Sequence, residues 1–393
     1  MILKNKRVVF FVALNCVYGG NVISSLNALA EHLMSVFGVS VFWVFPEQEK
    51  ADWLRDLMNN YTVFFTKEKY RKTEGEIYDI LNIIKPDLIH SHYESYDIPI
   101  AKAVRRLGGN IKLVFHIHVN MNLKCKKDIL FPLRKIHKSL RYYHHYGVVS
   151  REATLIAVSP EAAYNAAYFR KLRFRLPVIR VSNPKLYEMD FSSVGIYTLI
   201  NGICEDRINN NNEKIIGNPF SFLSFGGRFY GKGIDVILKA AKILEMDGRD
   251  FLLYVTEGEG VKEGVQQFFG SRKPKWLKVI PQSENISNIF NSADCYISAS
   301  RAETMSTAIA EATLYQKPVI QSDIVGTYWN AQNPSSFLFQ DGDSYSLYLR
   351  MKEVMDFDRE ALAQRAEQTY FKNKEMLSID TWINRVISIY KLA

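Results

Sequence analysis

Residues 8–45 of the chain read VVFFVALNCVYGGNVISSLNALAEHLMSVFGVSVFWVF, and this stretch predicts the fold class. Val8–Leu14 is a short apolar run, Ser24–Phe37 carries apolar residues at helical spacing, and Val39–Phe45 is a second apolar run. Two apolar runs of strand length separated by an amphipathic helix indicate a βαβ unit, in which the strands are parallel and buried on both faces.

The same alternation continues along both halves of the chain. In the first half the pattern predicts helices at Ile77–Ile84, Ile98–Leu107 and Pro160–Phe169 and strands at Asp87–His92, Lys112–His118 and Thr154–Val158. After a polar stretch at 201–218, which contains four consecutive asparagines, it predicts strands at Ser221–Phe225, Phe251–Val255, Lys278–Ile280, Cys295–Ser298 and Pro318–Gln321 and helices at Gly233–Glu245, Ile286–Asn291 and Thr307–Tyr315. We therefore expect an α/β protein with two doubly wound parallel-sheet domains. A final helix, Thr381–Tyr390, has an apolar stripe that must be buried.

Composition excludes several classes of protein. The 393 residues are 47% hydrophobic and 23% charged, the balance of a globular chain, and not of a disordered or collagen-like one. The four cysteines are scattered without a Cys-x-x-Cys pair, which argues against a disulfide framework or a thiolate zinc site and favours a reducing compartment. We interpret the start of the chain as a buried strand and not a secretory signal, and we expect a cytoplasmic protein without a membrane span.

Glycine-rich turns follow the first strand of each half. Gly19 and Gly20 come after the first predicted strand, where the alternative to a ligand loop is a plain tight turn. In the second half, the turn Gly226–Gly233 carries Arg228 and Lys232 among four glycines. Ligands of parallel α/β sheets bind beyond the carboxyl ends of the strands. Two cations at such a turn suit a diphosphate, whereas the alternative is a solvated basic turn.

The most informative segment is SRAETMSTAIAEA, residues 300–312. If a helix begins at about Ser306, Glu303 lies in the loop before it and Glu311 lies on its second turn. The N–H groups near Met305, Ser306 and Thr307 then face an anion. Glu303 can hold sugar hydroxyls and Glu311 can accept hydrogen bonds from a ribose diol, although a capping role for Glu303 is the structural alternative.

Together these motifs resemble the retaining nucleotide-sugar glycosyltransferases of family 4, and the resemblance covers nearly the whole chain. It implies the GT-B fold, in which two Rossmann-like domains face a central cleft. The expected parts are an acceptor-binding domain at 1–205, a nucleotide-sugar-binding domain at 206–375, and a C-terminal helix at 376–393 that packs back on the first domain. It also implies a metal-independent hexosyltransferase that retains anomeric configuration. The donor would be a nucleotide-diphosphate sugar, with a UDP-sugar favoured over a GDP-sugar, and no further cofactor is expected.

The resemblance assigns roles residue by residue. His118 and Glu303 are the expected catalytic residues, and His92 is expected on the acceptor side. The expected donor-binding residues are Gly19, Gly20, Arg228, Lys232, Thr304, Met305, Ser306, Thr307 and Glu311. The chain departs from the family pattern in the shorter gap between the arginine and the lysine, and at Thr256, Thr304, Ser306, Gln316 and Asn330. These departures bear on the identity of the donor.

Two further features allow other interpretations. His90, His92, His116 and His118 fall near the ends of two predicted strands and would suit a metal-dependent hydrolase, which is the alternative function. Basic and aromatic residues cluster at 124–146 and 169–176, and the net charge is +9. No nucleic-acid motif accompanies them. We expect either a solvated face or an anionic membrane surface, consistent with peripheral attachment at its inner face and a glycan or lipid-linked glycan acceptor in cell-surface polysaccharide or glycoconjugate synthesis.

Overall fold

The structure is a computed structural model, which describes residues 3–15, 17–67, 72–118, 131–171, 186, 188–208, 219–283 and 285–393. Side chains 131, 132, 134, 135 and 171 are not described. The chain divides into two compact units. Residues 1–201 and 382–393 form the first unit, and residues 202–381 form the second.

The first unit is built on a seven-stranded parallel sheet in the order β3-β2-β1-β4-β5-β6-β7. Its strands are β1 (Arg7–Val12), β2 (Ser40–Pro46), β3 (Thr62–Thr66), β4 (Leu88–His92), β5 (Lys112–Ile117), β6 (Thr154–Ala157) and β7 (Ile196–Thr198). Its helices are α1 (Gly20–Phe37), α2 (Asp52–Asn60), α3 (Glu74–Ile84), α4 (Asp97–Leu107), α5 (Phe131–Tyr142), which continues into a π-helix at Tyr143–Val149, and α6 (Pro160–Lys171). Strands β1 and β4 are buried on both faces, as their apolar runs predict.

The second unit is built on a six-stranded parallel sheet in the order β10-β9-β8-β11-β12-β13. Its strands are β8 (Phe220–Ser224), β9 (Phe251–Thr256), β10 (Leu277–Ile280), β11 (Cys295–Ser298), β12 (Val319–Ser322) and β13 (Ser336–Phe339). Its helices are α7 (Ile234–Met246), α8 (Val261–Phe269), α9 (Ser287–Asn291), α10 (Thr307–Leu314), α11 (Ser344–Asp356) and α12 (Arg359–Leu377). Short 3₁₀ turns include Glu205–Arg207 and Val325–Asn330.

The strand orders confirm the predicted class of two doubly wound parallel-sheet domains. In the first unit the order reverses between β1 and β4, and in the second unit it reverses between β8 and β11. Such reversal points open a crevice at the carboxyl ends of the strands, where ligands of this fold class bind. Candidate site residues should therefore follow β1, β4, β8 and β11.

The last helix, α13 (Ile379–Leu392), begins in the second unit and runs into the first. Within the first unit, Trp382, Val386 and Tyr390 are buried, and the Tyr390 hydroxyl lies 2.6 Å from Nδ1 of His90 on β4. The apolar stripe of this helix is therefore core. No helix among the described residues has the length and apolarity needed to cross a membrane.

Some boundaries differ from those that the sequence predicts. Helix α1 begins at Gly20 instead of Ser24. Gly20 itself has a left-handed φ of 58°, which glycine adopts without a steric cost. Strand β5 ends at Ile117, so His118 lies one residue beyond it. Helix α2 and strand β3 were not expected from the sequence.

Candidate functional site

The loop Gly226–Gly233 follows β8 and is shaped by close backbone approaches. The Gly226 N–H donates to Oγ1 of Thr256 over 2.8 Å, so the threonine hydroxyl has a structural role in this loop. A Cβ on Gly226 would lie 1.9 Å from the Thr256 carbonyl oxygen, and one on Gly233 would lie 2.0 Å from that of Ala299. Larger residues cannot occupy these positions without moving the loop. The glycines thus press the loop against the ends of β9 and β11.

Lys232 and Glu303 are brought together by the loops after β8 and β11. The Lys232 ammonium lies 2.6 Å from Oε1 of Glu303, and the Ser300 hydroxyl donates to the same oxygen over 2.7 Å. The two side chains are 39% and 14% exposed. Gly326 packs against this point, since a Cβ there would lie 2.1 Å from the Glu303 carbonyl oxygen. The structure therefore joins two residues that the sequence predicted for one site.

Arg228 lies on the same loop, with an exposed side chain. Its carbonyl oxygen accepts the Lys232 N–H, while no described residue forms an ion pair with its guanidinium. A cation without a carboxylate partner at the carboxyl end of β8 can bind an incoming anion without first breaking an ion pair.

Helix α10 begins directly after the Glu303 loop. The first-turn N–H groups of any α-helix lack an acceptor within the helix. Here the N-cap residue Ser306 makes no side-chain capping hydrogen bond that would supply one. Met305 and Ser306 are buried, whereas Thr304 and Thr307 are partly exposed. The helix start is within one residue of the expected one. The helix dipole favours an anion at this end.

Glu311 lies on the second turn of α10 and is buried. Its Oε1 accepts a hydrogen bond from Nε of Arg207 over 2.9 Å, and Nη2 of the same guanidinium lies 2.8 Å from that oxygen as an ion pair. Burial raises the pKa of the Glu311 carboxyl, and the Arg207 guanidinium opposes that rise. The sequence analysis did not identify Arg207, because Glu311 lies 104 residues away and no local sequence pattern indicates that the two residues pair.

Arg301 is a second residue that the sequence did not single out. Its guanidinium forms two hydrogen bonds of 2.8 Å with the carboxylate of Asp235 at the start of α7, and it also donates to the carbonyl oxygen of Tyr230. Its backbone N–H donates to the Gly231 carbonyl oxygen over 3.1 Å. Arg301 thereby fixes the Glu303 loop to the glycine-rich loop.

The first unit holds the predicted histidines as one cluster. Nδ1 of His92 lies 2.9 Å from Nε2 of His118. Ring centroids are 4.2–5.4 Å apart among His90, His92 and His116, and the His118 ring lies 5.2 Å from that of His92 and 4.5 Å from that of His116. Burial lowers the pKa of all four, and that of His118 falls to about 3. The four imidazoles are therefore neutral near pH 7.

The cluster does not fit the active site of a metal hydrolase. Ring nitrogens of His90, His92 and His116 lie within 4.8 Å of one another, close enough to share an ion. However, these residues are at most 1% exposed, whereas a catalytic metal keeps an open position for substrate or water. The group also contains no carboxylate or thiolate to balance a buried divalent charge.

Gly19 and Gly20 follow β1, as the sequence predicts. Gly19 is the N-cap residue of α1, and a Cβ there would lie 3.0 Å from Ile23 and 3.2 Å from Trp53. The backbone of Gly19 therefore packs closely against α1 and α2, and a larger residue there would have to move Ile23 or Trp53.

The turn after β4 contains two non-glycine residues with a left-handed backbone conformation. Tyr93 and Glu94 are consecutive non-glycine residues with φ values of 67° and 46°, a region that such residues rarely occupy. The Tyr93 ring stacks on His118 with centroids 4.7 Å apart, and the Glu94 carboxylate accepts a hydrogen bond from Tyr146 of the π-helix. Strained backbone of this kind is common at functional sites. Here it occurs at Tyr93, the residue whose ring stacks on His118.

Residues 206–369 match the family described as glycosyl transferases group 1. No curated protein matches the chain by sequence. The structure is similar over 99% of its length to Anabaena Alr3699/HepE in complex with UDP-glucose, with 15% identity, a TM-score of 0.74 and 100% of that chain covered.

Two other solved structures share the architecture. WaaG, a glycosyltransferase involved in lipopolysaccharide biosynthesis, is 13% identical, with a TM-score of 0.68 and 97% and 99% of the two chains covered. Sucrose-phosphate synthase from Thermosynechococcus elongatus is also 13% identical, with a TM-score of 0.68 and 98% of each chain covered. At these identities the similarity establishes the fold, which is GT-B. Together with the match of residues 206–369, it supports a GT-B glycosyltransferase.

Proposed function

We propose that this protein is a family 4 glycosyltransferase that moves a sugar from a UDP-sugar to a hydroxyl of a glycan or lipid-linked glycan, with retention of anomeric configuration. The observation that carries the proposal is the pairing of Lys232 with Glu303 beside the start of α10, at the reversal point of the second sheet. A cation, a carboxylate and free N–H groups meet there, which is the set needed to hold a phosphate and a sugar hydroxyl together.

The leaving diphosphate is stabilised by Arg228, Lys232 and the first turn of α10. When the donor bond breaks, charge develops on the diphosphate, and donors already oriented toward it lower the barrier. Lys232 is partly exposed and can turn from Glu303 to the phosphate. These cations take the part that a divalent metal plays in other transferases, so we propose a reaction without a resident metal or cofactor.

Glu303 holds hydroxyls of the transferred sugar, and Glu311 holds the nucleotide ribose. Lys232 and Ser300 occupy one oxygen of Glu303. A turn of the Lys232 side chain toward the diphosphate frees acceptor capacity for sugar hydroxyls. Preference for UDP over GDP is supported by the fold neighbour whose structure contains UDP-glucose.

The first unit is proposed to receive the acceptor. His118 would contact the donor sugar, and His92 supports it through the 2.9 Å hydrogen bond. Because burial keeps the pKa of His118 far below 7, its neutral ring can donate or accept a hydrogen bond without adding charge next to a forming oxocarbenium centre.

We also propose that the protein attaches peripherally to the anionic cytoplasmic face of a membrane. There it would act in cell-surface polysaccharide or glycoconjugate synthesis. Leu133, Leu140 and Val148 are exposed on α5 and the π-helix, together with Arg141. Apolar residues beside cations suit the headgroup region of a leaflet. Lys124, Lys126, Lys127, Arg173 and Arg175 of the predicted clusters lie outside the described residues.

The proposal is tested by donor turnover and by binding. Wild-type protein should release UDP from at least one UDP-sugar, and Glu303→Ala should abolish that release while UDP still binds. Lack of UDP release from every common UDP-sugar, or release that does not depend on Glu303, would contradict the mechanism. Sedimentation with anionic and neutral vesicles tests the membrane part separately, with Leu140→Ser expected to reduce binding to anionic vesicles.

A further inference from the structure

The Arg207–Glu311 pair extends the donor site beyond the residues that the sequence identified. Arg207 ends the 3₁₀ turn Glu205–Arg207, and the Tyr315 hydroxyl donates to its carbonyl oxygen over 2.5 Å. Tyr315 also lies 2.5 Å from the Ser287 hydroxyl. The Arg207 side chain therefore holds the turn to α10 through Glu311, and the Arg207 carbonyl holds it to Tyr315, the residue that follows α10.

The geometry leaves half of the Glu311 carboxylate available. Both Arg207 nitrogens contact Oε1, and no described residue makes a hydrogen bond to Oε2. An ionised carboxylate has about four lone-pair sites, so Oε2 can accept hydroxyl groups while Oε1 stays with Arg207. The side chains of Arg207 and Glu311 are 13% and 5% exposed, so the pair is nearly dry.

The spacing on the helix fits a nucleoside diphosphate. Glu311 lies four residues after Thr307, which corresponds to a rise of roughly 6 Å along the helix. A diphosphate at the first turn of α10 would thus place the attached ribose near Glu311. We infer that Arg207 is a positioning residue for ribose recognition, which holds the Glu311 carboxylate so that its second oxygen receives the 2′- and 3′-hydroxyls of the nucleotide.

This inference rests on the proposed function, since it assumes that a nucleotide occupies the site. It also requires that the Glu311 carboxyl be ionised when the nucleotide binds. Burial raises the pKa of Glu311, and the Arg207 guanidinium opposes that rise, so Arg207 favours the ionised form of the carboxylate. A protonated carboxyl carries a hydrogen on one oxygen and loses acceptor capacity for the diol.

The test compares UDP with 2′-deoxyuridine diphosphate by titration calorimetry at about pH 6 and about pH 8. Wild-type protein should prefer UDP by about tenfold at both pH values, because one hydrogen bond to a charged acceptor is lost with the deoxy ligand. Arg207→Met should weaken UDP binding by about ten- to hundredfold at the lower pH, reduce the preference for UDP, and recover affinity as pH rises and Glu311 ionises.

Two further variants complete the design. Arg207→Lys keeps the positive charge, so its affinity for UDP should change little between the two pH values, as in the wild type. Arg249→Met removes an arginine from an exposed pair with Asp356 in the same unit and should change nothing. If Arg207→Met binds UDP with the wild-type preference and pH profile, the inference is wrong. An equal, pH-independent loss for both ligands would show a structural role and would also overturn it.

The outcome also separates this inference from the proposed function. If the wild-type protein binds neither UDP nor its deoxy analogue, the donor site itself is wrongly assigned. If the wild-type protein binds UDP with a ribose preference that Glu311→Gln removes but Arg207→Met does not, only the role of Arg207 fails.

Discussion

Lys232→Met is the substitution that most clearly separates a structural from a functional role for the Lys232–Glu303 pair. The side chain of Lys232 is 39% exposed, and Glu303 keeps its hydrogen bond from Ser300 when Lys232 is removed. A pair of this exposure contributes about 0–1 kcal/mol to stability. The unfolding transition of the variant should therefore lie close to that of the wild type.

Ligand binding should respond much more strongly. A hydrogen bond between an ammonium and a phosphate oxygen is worth about 1.5–3 kcal/mol, so the Kd for UDP should rise by about ten- to hundredfold. Charge on the diphosphate grows as the donor bond breaks, so UDP release should fall by a further factor, to about 10²–10³ below wild type.

The assay is titration calorimetry with UDP, together with coupled detection of UDP released from a panel of UDP-sugars. Lys239→Met is the matched control, because Lys239 is an exposed lysine on α7 that follows the same loop. Equal UDP affinity in Lys232→Met and Lys239→Met would refute the assignment of Lys232 to the diphosphate. A large loss of stability in Lys232→Met alone would show that the pair is mainly structural.

Three other predictions follow from the packing and the buried histidines. Gly326→Ala should lower the unfolding free energy by about 1–3 kcal/mol and reduce UDP release, since the new methyl group would displace Glu303; normal activity with normal stability would contradict this close approach. The unfolding free energy should fall as pH drops from about 7 to about 5, because buried neutral histidines gain protons only on unfolding. Denaturant titrations should show that this free energy depends less steeply on pH in His116→Asn than in the exposed control His137→Asn. Equal slopes in the two variants would contradict this explanation. His118→Asn should reduce UDP release by at least about tenfold with little change in UDP affinity, whereas loss of UDP binding would place His118 elsewhere.

The sequence was sufficient to predict the sheet class, because strands buried on both faces leave long apolar runs. Val8–Leu14 and Val39–Phe45 are of this kind, and both appear as strands. The start of α10 was also predicted within one residue, since the loop of Ser300–Thr304 precedes an Ala-rich helical segment. Helix α2 was missed because its nine residues are mostly polar and too short for a clear period.

The polar contacts of the site could not be predicted in the same way. Arg207 and Glu311 are far apart in sequence, and only the folded backbone shows that an arginine in a short turn faces a buried carboxylate. The left-handed backbone at Tyr93 and Glu94 gives no sequence signal either, because glycine or asparagine would be expected there. Such conformations are imposed by tertiary packing against local preference.

We propose that this chain splits a UDP-sugar with retention of anomeric configuration. The most direct measurement is NMR of the reaction with each common UDP-sugar in the presence of wild-type or Glu303→Ala protein, following UDP and the first-formed anomer of the released or transferred sugar. We expect UDP from the wild type only, with a product of the same anomeric configuration as the donor. A product of inverted configuration, or no consumption of any UDP-sugar together with no binding of UDP, would contradict the account.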